Sequence, residues 1–261
     1  MKLRDIIEIL EETYPLSSAA AWDNSGLQVG DAGMEVKKLY IALDATFEHI
    51  KTAREIKADL ILTHHPLLMS GVKSVTSEDF HGRKILNLIK SGMAHYAMHT
   101  NFDVETMASL SATILGMEEE AVLEPVYVDK EGKEQGFGRV GSLSERMRLR
   151  ELADLVKERF HIDHVRVFGD PERMVSRVAM IPGSGKSMMD AVLTSGAEVF
   201  LSGDFGHHDG LDACDQGLSV IDAGHYGLEH IFIDYMASFL KEKLSGVEVV
   251  PAELENIFHI F

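Results

Sequence analysis

Asp59-Leu60-Ile61-Leu62-Thr63-His64-His65-Pro66 is a short apolar run that ends in two adjacent imidazoles and a proline. A compact apolar segment stopped by proline reads as a buried strand. Neighbouring strand side chains point to opposite faces, so inside a sheet one ring would be buried and the other exposed. Where the chain leaves the sheet that alternation relaxes, and both rings can reach a common cleft. The same unit recurs outward from this run. Residues 38–44 (KLYIALD) read as a strand and 45–56 as its helix, and 58–63 form the next strand. A polar loop over 70–79 precedes a helix near 82–91, and a strand at 93–98 leads to His99-Thr100-Asn101-Phe102-Asp103. Strand and helix in alternation predict an α/β fold with a mainly parallel, doubly wound sheet. Such sheets bind ligands beyond the carboxyl ends of their strands. His64, His65, His99 and Asp103 all lie just past such ends.

Toward the N-terminus, Leu3, Ile6, Ile7 and Leu10 follow helical spacing over residues 3–13, and the pattern stops before Pro15. A turn-rich loop follows at residues 21–30, where Trp22, the only tryptophan, precedes Asp23-Asn24-Ser25-Gly26. Beyond Glu124 the pattern changes. Short strands are expected at 126–129 and 136–142 around Lys130-Glu131-Gly132-Lys133, then a helix at 147–160 and strands at 164–168 and 175–182. A helix at 187–194, a strand at 198–202 and a helix at 209–216 complete a second α/β lobe, residues 125–217. That lobe is expected to be inserted into a first one of residues 1–124 and 218–261. A strand at 218–222, a long helix at 225–243 and a strand at 247–250 would return the chain to the first lobe.

With 261 residues, 45% hydrophobic and 26% charged, the chain can bury a core without staples. Its single cysteine, Cys214, excludes an internal disulfide and a cysteine-based zinc site, and suits a reducing compartment. The N-terminal MKLRDIIEILEETYP carries acids where a signal peptide needs an unbroken apolar stretch. No run approaches the roughly 20 apolar residues that span a bilayer. The expectation is a cytoplasmic protein with no membrane association. A net charge of −17 repels phosphates and argues against nucleic acid as a partner. An anionic small substrate would need local positive charge, from metal ions or a few placed Arg and Lys.

The histidines supply the chemistry. In Asp222-Ala223-Gly224-His225-Tyr226-Gly227-Leu228-Glu229 the glycine ends a strand turn and His225 opens a helix, which puts His225 and Glu229 on one face. The summed set is His64, His65, Asp103, His225 and Glu229, with His99 close by. Three imidazoles and two carboxylates exceed the three protein ligands of one catalytic zinc. They suit two divalent ions roughly 3.5–4 Å apart. The allocation places His64 and Asp103 on one ion, His65 and His225 on the other, and Glu229 between them. Nitrogen and oxygen donors without thiolate admit zinc, iron, manganese, cobalt or nickel. His99 reads as a proton carrier beside the ions rather than an obligatory ligand. His207-His208, after Ser202-Gly203-Asp204, lie beyond another strand end and either face the metals or cap a helix. Pro182-Gly183-Ser184-Gly185-Lys186-Ser187 resembles a nucleotide-binding loop, but Met180 stands where its first glycine is required. The alternative is a plain glycine turn before a helix, whose amides could hold an anion.

Six ordered motifs now stand together. They are Trp22-Asp23-Asn24-Ser25-Gly26-Leu27, Ala42-Leu43-Asp44-Ala45-Thr46, Thr63-His64-His65-Pro66 and His99-Thr100-Asn101-Phe102-Asp103, then Gly203-Asp204 with His208 and Asp222-Ala223-Gly224-His225 with Glu229. Over nearly the whole chain the sequence resembles the GTP cyclohydrolase I type 2 homologue family, the NIF-three-like dinuclear metal proteins. The resemblance implies metal ligands at His64, His65, Asp103, His225 and Glu229. It also implies two α/β lobes, and a toroidal homohexamer whose sites face an internal cavity. Some relatives carry a further inserted domain, for which residues 124–182 leave no room. The family name implies hydrolytic opening of the guanine imidazole ring of GTP with release of formate, His99 or His208 moving protons. The broader expectation is a dinuclear metal-dependent hydrolase of a nucleotide or related small molecule. The rival is a non-catalytic metal carrier or adaptor whose metals are structural.

Overall fold

The computed structural model describes residues 1–254 and Phe258, and divides the chain into two compact units. The first comprises Met1–Phe102 and Ile231–Leu254. It begins with α1 (Leu3–Thr13), which buries Leu3, Ile6 and Leu10 along one stripe. Then follow β1 (Gly26–Val29), β2 (Lys38–Ala42), α2 (Phe47–Glu55), β3 (Leu60–Thr63), α3 (Phe80–Lys90), β4 (Ala94–Ala97) and α4 (Thr100–Phe102). Two of these helices start where the sequence offers a cap: Thr46 accepts from the His49 amide at 3.0 Å, and Asp79 from that of Gly82 at 2.6 Å.

The second unit, Asp103–His230, opens with a π-helical turn, Asp103–Met107, that runs into α5 (Ala108–Leu115). Its other elements are β5 (Glu118–Val128), β6 (Glu134–Arg148), α6 (Leu149–Arg159), β7 (Arg166–Phe168), β8 (Met174–Met180), α7 (Met189–Thr194), β9 (Val199–Ser202), α8 (His207–Asp215), β10 (Ser219–Asp222) and α9 (His225–Glu229). The first unit then closes with α10 (Ile231–Lys243) and β11 (Glu248–Pro251).

The first unit's sheet has the order β1-β4-β3-β2-β11. β4, β3, β2 and β11 run parallel, and β1 is antiparallel to β4. β3 and β4 are buried along their whole length, which explains why LILT and AHYA read as continuous rather than alternating runs. Thr63 pairs with Ala42 on one side and Ala97 on the other, so β2, β3 and β4 end in register. The residues that follow them, Asp44, His64-His65 and His99, therefore leave the sheet along one edge. Behind His64 lies an aromatic floor: its ring centroid is 5.3 Å from that of Phe232 and 6.1 Å from that of Phe102, which itself packs against Tyr14 at 5.3 Å.

The second unit's sheet has the order β5-β6-β8-β9-β10-β7, with β8, β9 and β10 parallel and the other pairings antiparallel. Its core gathers Ala179, Phe200, Phe205, Leu218 and Val220.

Several expectations change. The strand expected at 218–222 to return to the first lobe is β10, paired with β9 and β7 in the second sheet. The division accordingly falls at 102/103 and 230/231, not at 124/125 and 217/218; residues 255–257 and 259–261 lie outside the described ones. The reason is local: β8, α7, β9, α8 and β10 follow one another through short connections, which keep sequential parallel strands adjacent. The hairpin of β5 and β6 is also longer than expected, because register shifts at Glu118/Ala121 and Pro125/Tyr127 disturb its alternation. The helix expected at 225–243 breaks at His230, whose Nε2 meets the Phe160 carbonyl at 2.8 Å. β1 lies in what reads as a loop. No described helix is long and apolar enough to cross a membrane.

Candidate metal centre

In the first unit, one nitrogen from each of His64, His65 and His99 lies within 4.8 Å of the others. The opposite nitrogen of every ring is anchored. His64 Nδ1 lies 2.7 Å from the Met98 carbonyl, His65 Nδ1 2.9 Å from Asp44 Oδ1, and His99 Nδ1 2.8 Å from Asp23 Oδ1. A carbonyl or carboxylate oxygen can only accept, so each Nδ1 carries a proton, and in the neutral ring Nε2 is then the lone-pair donor. Metal-binding histidines use this arrangement, their second nitrogen held by a carboxylate or a backbone carbonyl.

Asp23 is the hub of this cluster. Its buried carboxylate also accepts from Ser25 Oγ at 2.7 Å, the Thr100 amide at 3.1 Å and Thr100 Oγ1 at 2.6 Å. Burial by itself would raise its pKa. The hydrogen bonds from His99, Thr100 and Ser25, with the attraction of the His99 ring, outweigh burial and hold it well below the carboxylate range.

The second unit carries a group of its own. His225 and Glu229 face each other at 3.1 Å across one turn of α9, and His225 Nδ1 meets Asp204 Oδ2 at 2.8 Å. With its proton on Nδ1, the His225 ring turns a lone pair toward a carboxylate that is almost wholly buried. Two acceptors so close need a proton or a cation between them. Asp204 takes a left-handed backbone conformation (φ 62°) to reach the ring. An oxygen of Asp103, in the π-helical turn, lies within 4.8 Å of one of Glu229. Asp222 fixes the loop before α9: its buried carboxylate accepts from the Gly224 amide at 2.9 Å, the Phe205 amide at 3.1 Å and Arg166 Nη2.

The glycine loop is not a phosphate cradle. The Gly185 amide donates to Ser202 Oγ at 2.9 Å, and the Gly183 carbonyl accepts from the Gly203 amide at 2.8 Å and from Ser202 Oγ at 3.2 Å. Gly183 instead backs Glu229, leaving no room for a Cβ between them. His207 and His208 stand exposed on the first turn of α8, their rings 5.2 Å apart, and Asp209 caps that helix by accepting from the Gly206 amide at 2.9 Å.

Sequence reasoning placed Asp23, Asp44 and Asp204 in motifs without giving them a role. Their signal is position: each carboxylate lies in a loop that also anchors a histidine, and only register shows which histidine each one meets.

His95 lies apart from these groups, wholly buried on β4, with Nε2 2.8 Å from Thr63 Oγ1. That hydroxyl donates to the His65 carbonyl at 2.7 Å, so it accepts from His95 and pins the bend that separates the two adjacent rings. Burial first, then the charge of Lys84, pushes the His95 pKa down to about 3. Unfolded, the ring titrates near 6.5, so between these values the unfolded chain binds one proton more than the folded one. The contribution of His95 is complete above pH 6.5 and is lost as pH falls toward 3, at about 1.4 kcal/mol per unit. In denaturant titrations, His95→Gln shrinks the stability difference between pH 7 and pH 5 by about 2 kcal/mol; parallel profiles would refute this.

Fold and site together define a class: a two-unit α/β protein whose clustered imidazoles and carboxylates can hold metal ions. A model of the Duf34/NIF3 (NGG1p interacting factor 3) family matches residues 1–256, and the chain belongs to that family. A Clostridium perfringens relative named GTP cyclohydrolase 1 type 2 homolog is 36% identical over 263 aligned residues, covering 99% of each chain. Among solved structures, reduced HcgD from Methanocaldococcus jannaschii is 32% identical, with a TM-score of 0.82 over 96% of this chain and 97% of that one. A Bacillus cereus protein related to NIF3 shares the fold, with a TM-score of 0.91 at 24% identity over 100% of this chain and 99% of its own.

Proposed function

We propose that this chain is a dinuclear metal-dependent hydrolase of a nucleotide or related small molecule, its two half-sets of ligands serving one pair of divalent ions. His64, His65, Asp103, His225 and Glu229 would hold the ions, His64 and Asp103 serving one and His65 and His225 the other. The observation that carries this reading is that four imidazoles each hold Nδ1 against an oxygen, the anchoring that metal-binding histidines use. Bound there, divalent ions would supply Lewis acidity and a water ionised near neutral pH. Five protein donors for two ions leave positions for water and substrate, as a catalytic rather than a structural site requires. His99 is positioned by Asp23 to take a proton at Nε2 and return it to a leaving group, the ionised Asp23 stabilising the charged ring. His208 is the second candidate for that proton transfer. In a chain of net charge −17 such ions would also supply the positive charge that a phosphate needs.

The name of the relatives suggests the narrower reaction, opening of the guanine imidazole ring of GTP with release of formate. The same reading has the chain self-associate as a homohexamer.

The test determines bound metal by mass spectrometry. It also assays GTP and a nucleotide panel with zinc, iron, manganese, cobalt and nickel, beside Glu229→Gln. The wild type is expected to bind two ions per chain. The variant binds one at most and loses roughly a hundredfold or more of turnover while light scattering shows the same oligomer. No turnover with any metal, together with an oligomer that dissolves in the variant, would make the metals structural and the protein a carrier or adaptor.

A further inference from the structure

We infer that Trp22 is a stacking platform that selects a substrate with a planar heteroaromatic ring and holds that ring beside His99. The inference rests on the hydrolase reading for the reaction, but its geometry belongs to the first unit alone.

Trp22 is the chain's only tryptophan and is 66% exposed. A side chain of this size left in water contributes little to folding, and large aromatics of globular chains are mostly buried. Its position is nevertheless held on both sides. The next residue, Asp23, is buried and hydrogen-bonded to His99, Thr100 and Ser25, and its amide donates to the Ala20 carbonyl at 2.9 Å. The Ala20 amide donates to Thr100 Oγ1 at 2.9 Å, which ties down the other side. Further along, Asn24 Nδ2 donates to the Leu68 carbonyl, and the Leu68 amide to Gln28 Oε1 at 2.7 Å. An exposed indole on so firmly tied a loop is preorganised, so little ordering entropy opposes a ligand that settles on it.

The location gives the platform its use. The indole meets the His99 ring at 5.9 Å between centroids and 73° between planes. His99 belongs to the imidazole cluster with His64 and His65. A ring laid on the indole therefore lies next to the group that moves protons in the proposed reaction. Indole offers a broad π-face, on which heteroaromatic bases stack regardless of their hydrogen-bonding edge. Among the described residues the indole N–H makes no hydrogen bond, so it can donate to a substrate. A nucleic-acid strand could use the same face, but a net charge of −17 opposes it. The class favoured is a free nucleoside, nucleotide or similar heteroaromatic.

With a single tryptophan, intrinsic fluorescence reports on this residue alone. Guanosine monophosphate is expected to quench it saturably in both the metal-free and the zinc-loaded protein, and ribose 5-phosphate to leave it unchanged. By calorimetry, Trp22→Ala weakens guanosine monophosphate binding about tenfold to a hundredfold, and Trp22→Phe recovers most of it. For a nucleotide that is turned over, Trp22→Ala raises KM far more than it lowers kcat. Equal affinity in wild type and Trp22→Ala would overturn the assignment. So would an emission shift that follows protein concentration without any nucleotide, since a second copy would then cover the indole. Quenching needs neither metal nor turnover, so it can persist where the hydrolase reading fails, and its absence leaves metal-dependent turnover to stand or fall separately.

Discussion

Gly183→Ala lowers affinity for divalent metal by roughly ten- to a hundredfold or more, and Gly196→Ala leaves it unchanged. The two glycines share a backbone φ of 72°, in the left-handed region that costs a residue with a Cβ about 1–2 kcal/mol. Both variants lose that much stability. They differ in what the new methyl group meets. At Gly196 there is open space within 4 Å. At Gly183 the Cβ falls on Glu229 Oε1 and comes within 3.4 Å of His225 Nε2. Glu229 is buried and cannot step aside into solvent. The carboxylate must rotate or α9 must shift, and either movement spoils a ligand whose useful tolerance is about half an ångström. Metal titration by calorimetry, with circular dichroism to show that the fold survives, checks the result. Equal metal affinity in the two variants would show that the close approach of Gly183 to Glu229 has no functional weight.

Asp23→Asn destabilises the protein by about 2–4 kcal/mol and flattens the acid limb of its stability curve. The carboxylate collects five hydrogen bonds in a buried position. An amide keeps one accepting oxygen but turns an NH₂ toward groups that themselves donate. For a chain of this length the loss corresponds to a drop in Tm of about 5–15 °C. The sign of the pH effect follows from the direction of the shift. The folded carboxyl is held well below its unfolded value, so its stabilisation is complete above about pH 4 and is lost as pH falls further, where the unfolded chain takes up the proton first. Asparagine does not titrate, so unfolding curves at pH 2.5 and pH 5 differ less in the variant than in the wild type. The same substitution frees the His99 ring to rotate, so turnover should fall with little change in metal content. Unchanged acid sensitivity would remove Asp23 from its place as hub.

The candidate ligands were legible because they obey local rules. His64 and His65 follow an apolar strand stopped by proline, and His225 and Glu229 are one helical turn apart; both facts come from strand and helix periods. The three aspartates behind the rings were less so. Asp44 follows β2 and His65 follows β3, and they meet because the two strands are parallel neighbours in register. Register depends on pairing between segments about twenty residues apart, which no periodicity records. The Gly-Ser-Gly turn shows the reverse error. Its sequence suggests free amides for an anion, whereas Ser202 takes the Gly185 amide and Glu229 lies against Gly183.

By itself, then, the sequence determined the α/β class, most of the helices and strands, and the residue types able to bind metal, since these depend on side-chain period, caps and donor chemistry. The tertiary structure alone decided that β10 joins the second sheet, that the helix breaks at His230, and which oxygen holds each imidazole. Those outcomes arise from contacts between distant segments. Hydrogen-bond partners within about 3 Å then choose the tautomer, and in the neutral ring the tautomer sets which nitrogen can serve as a metal donor.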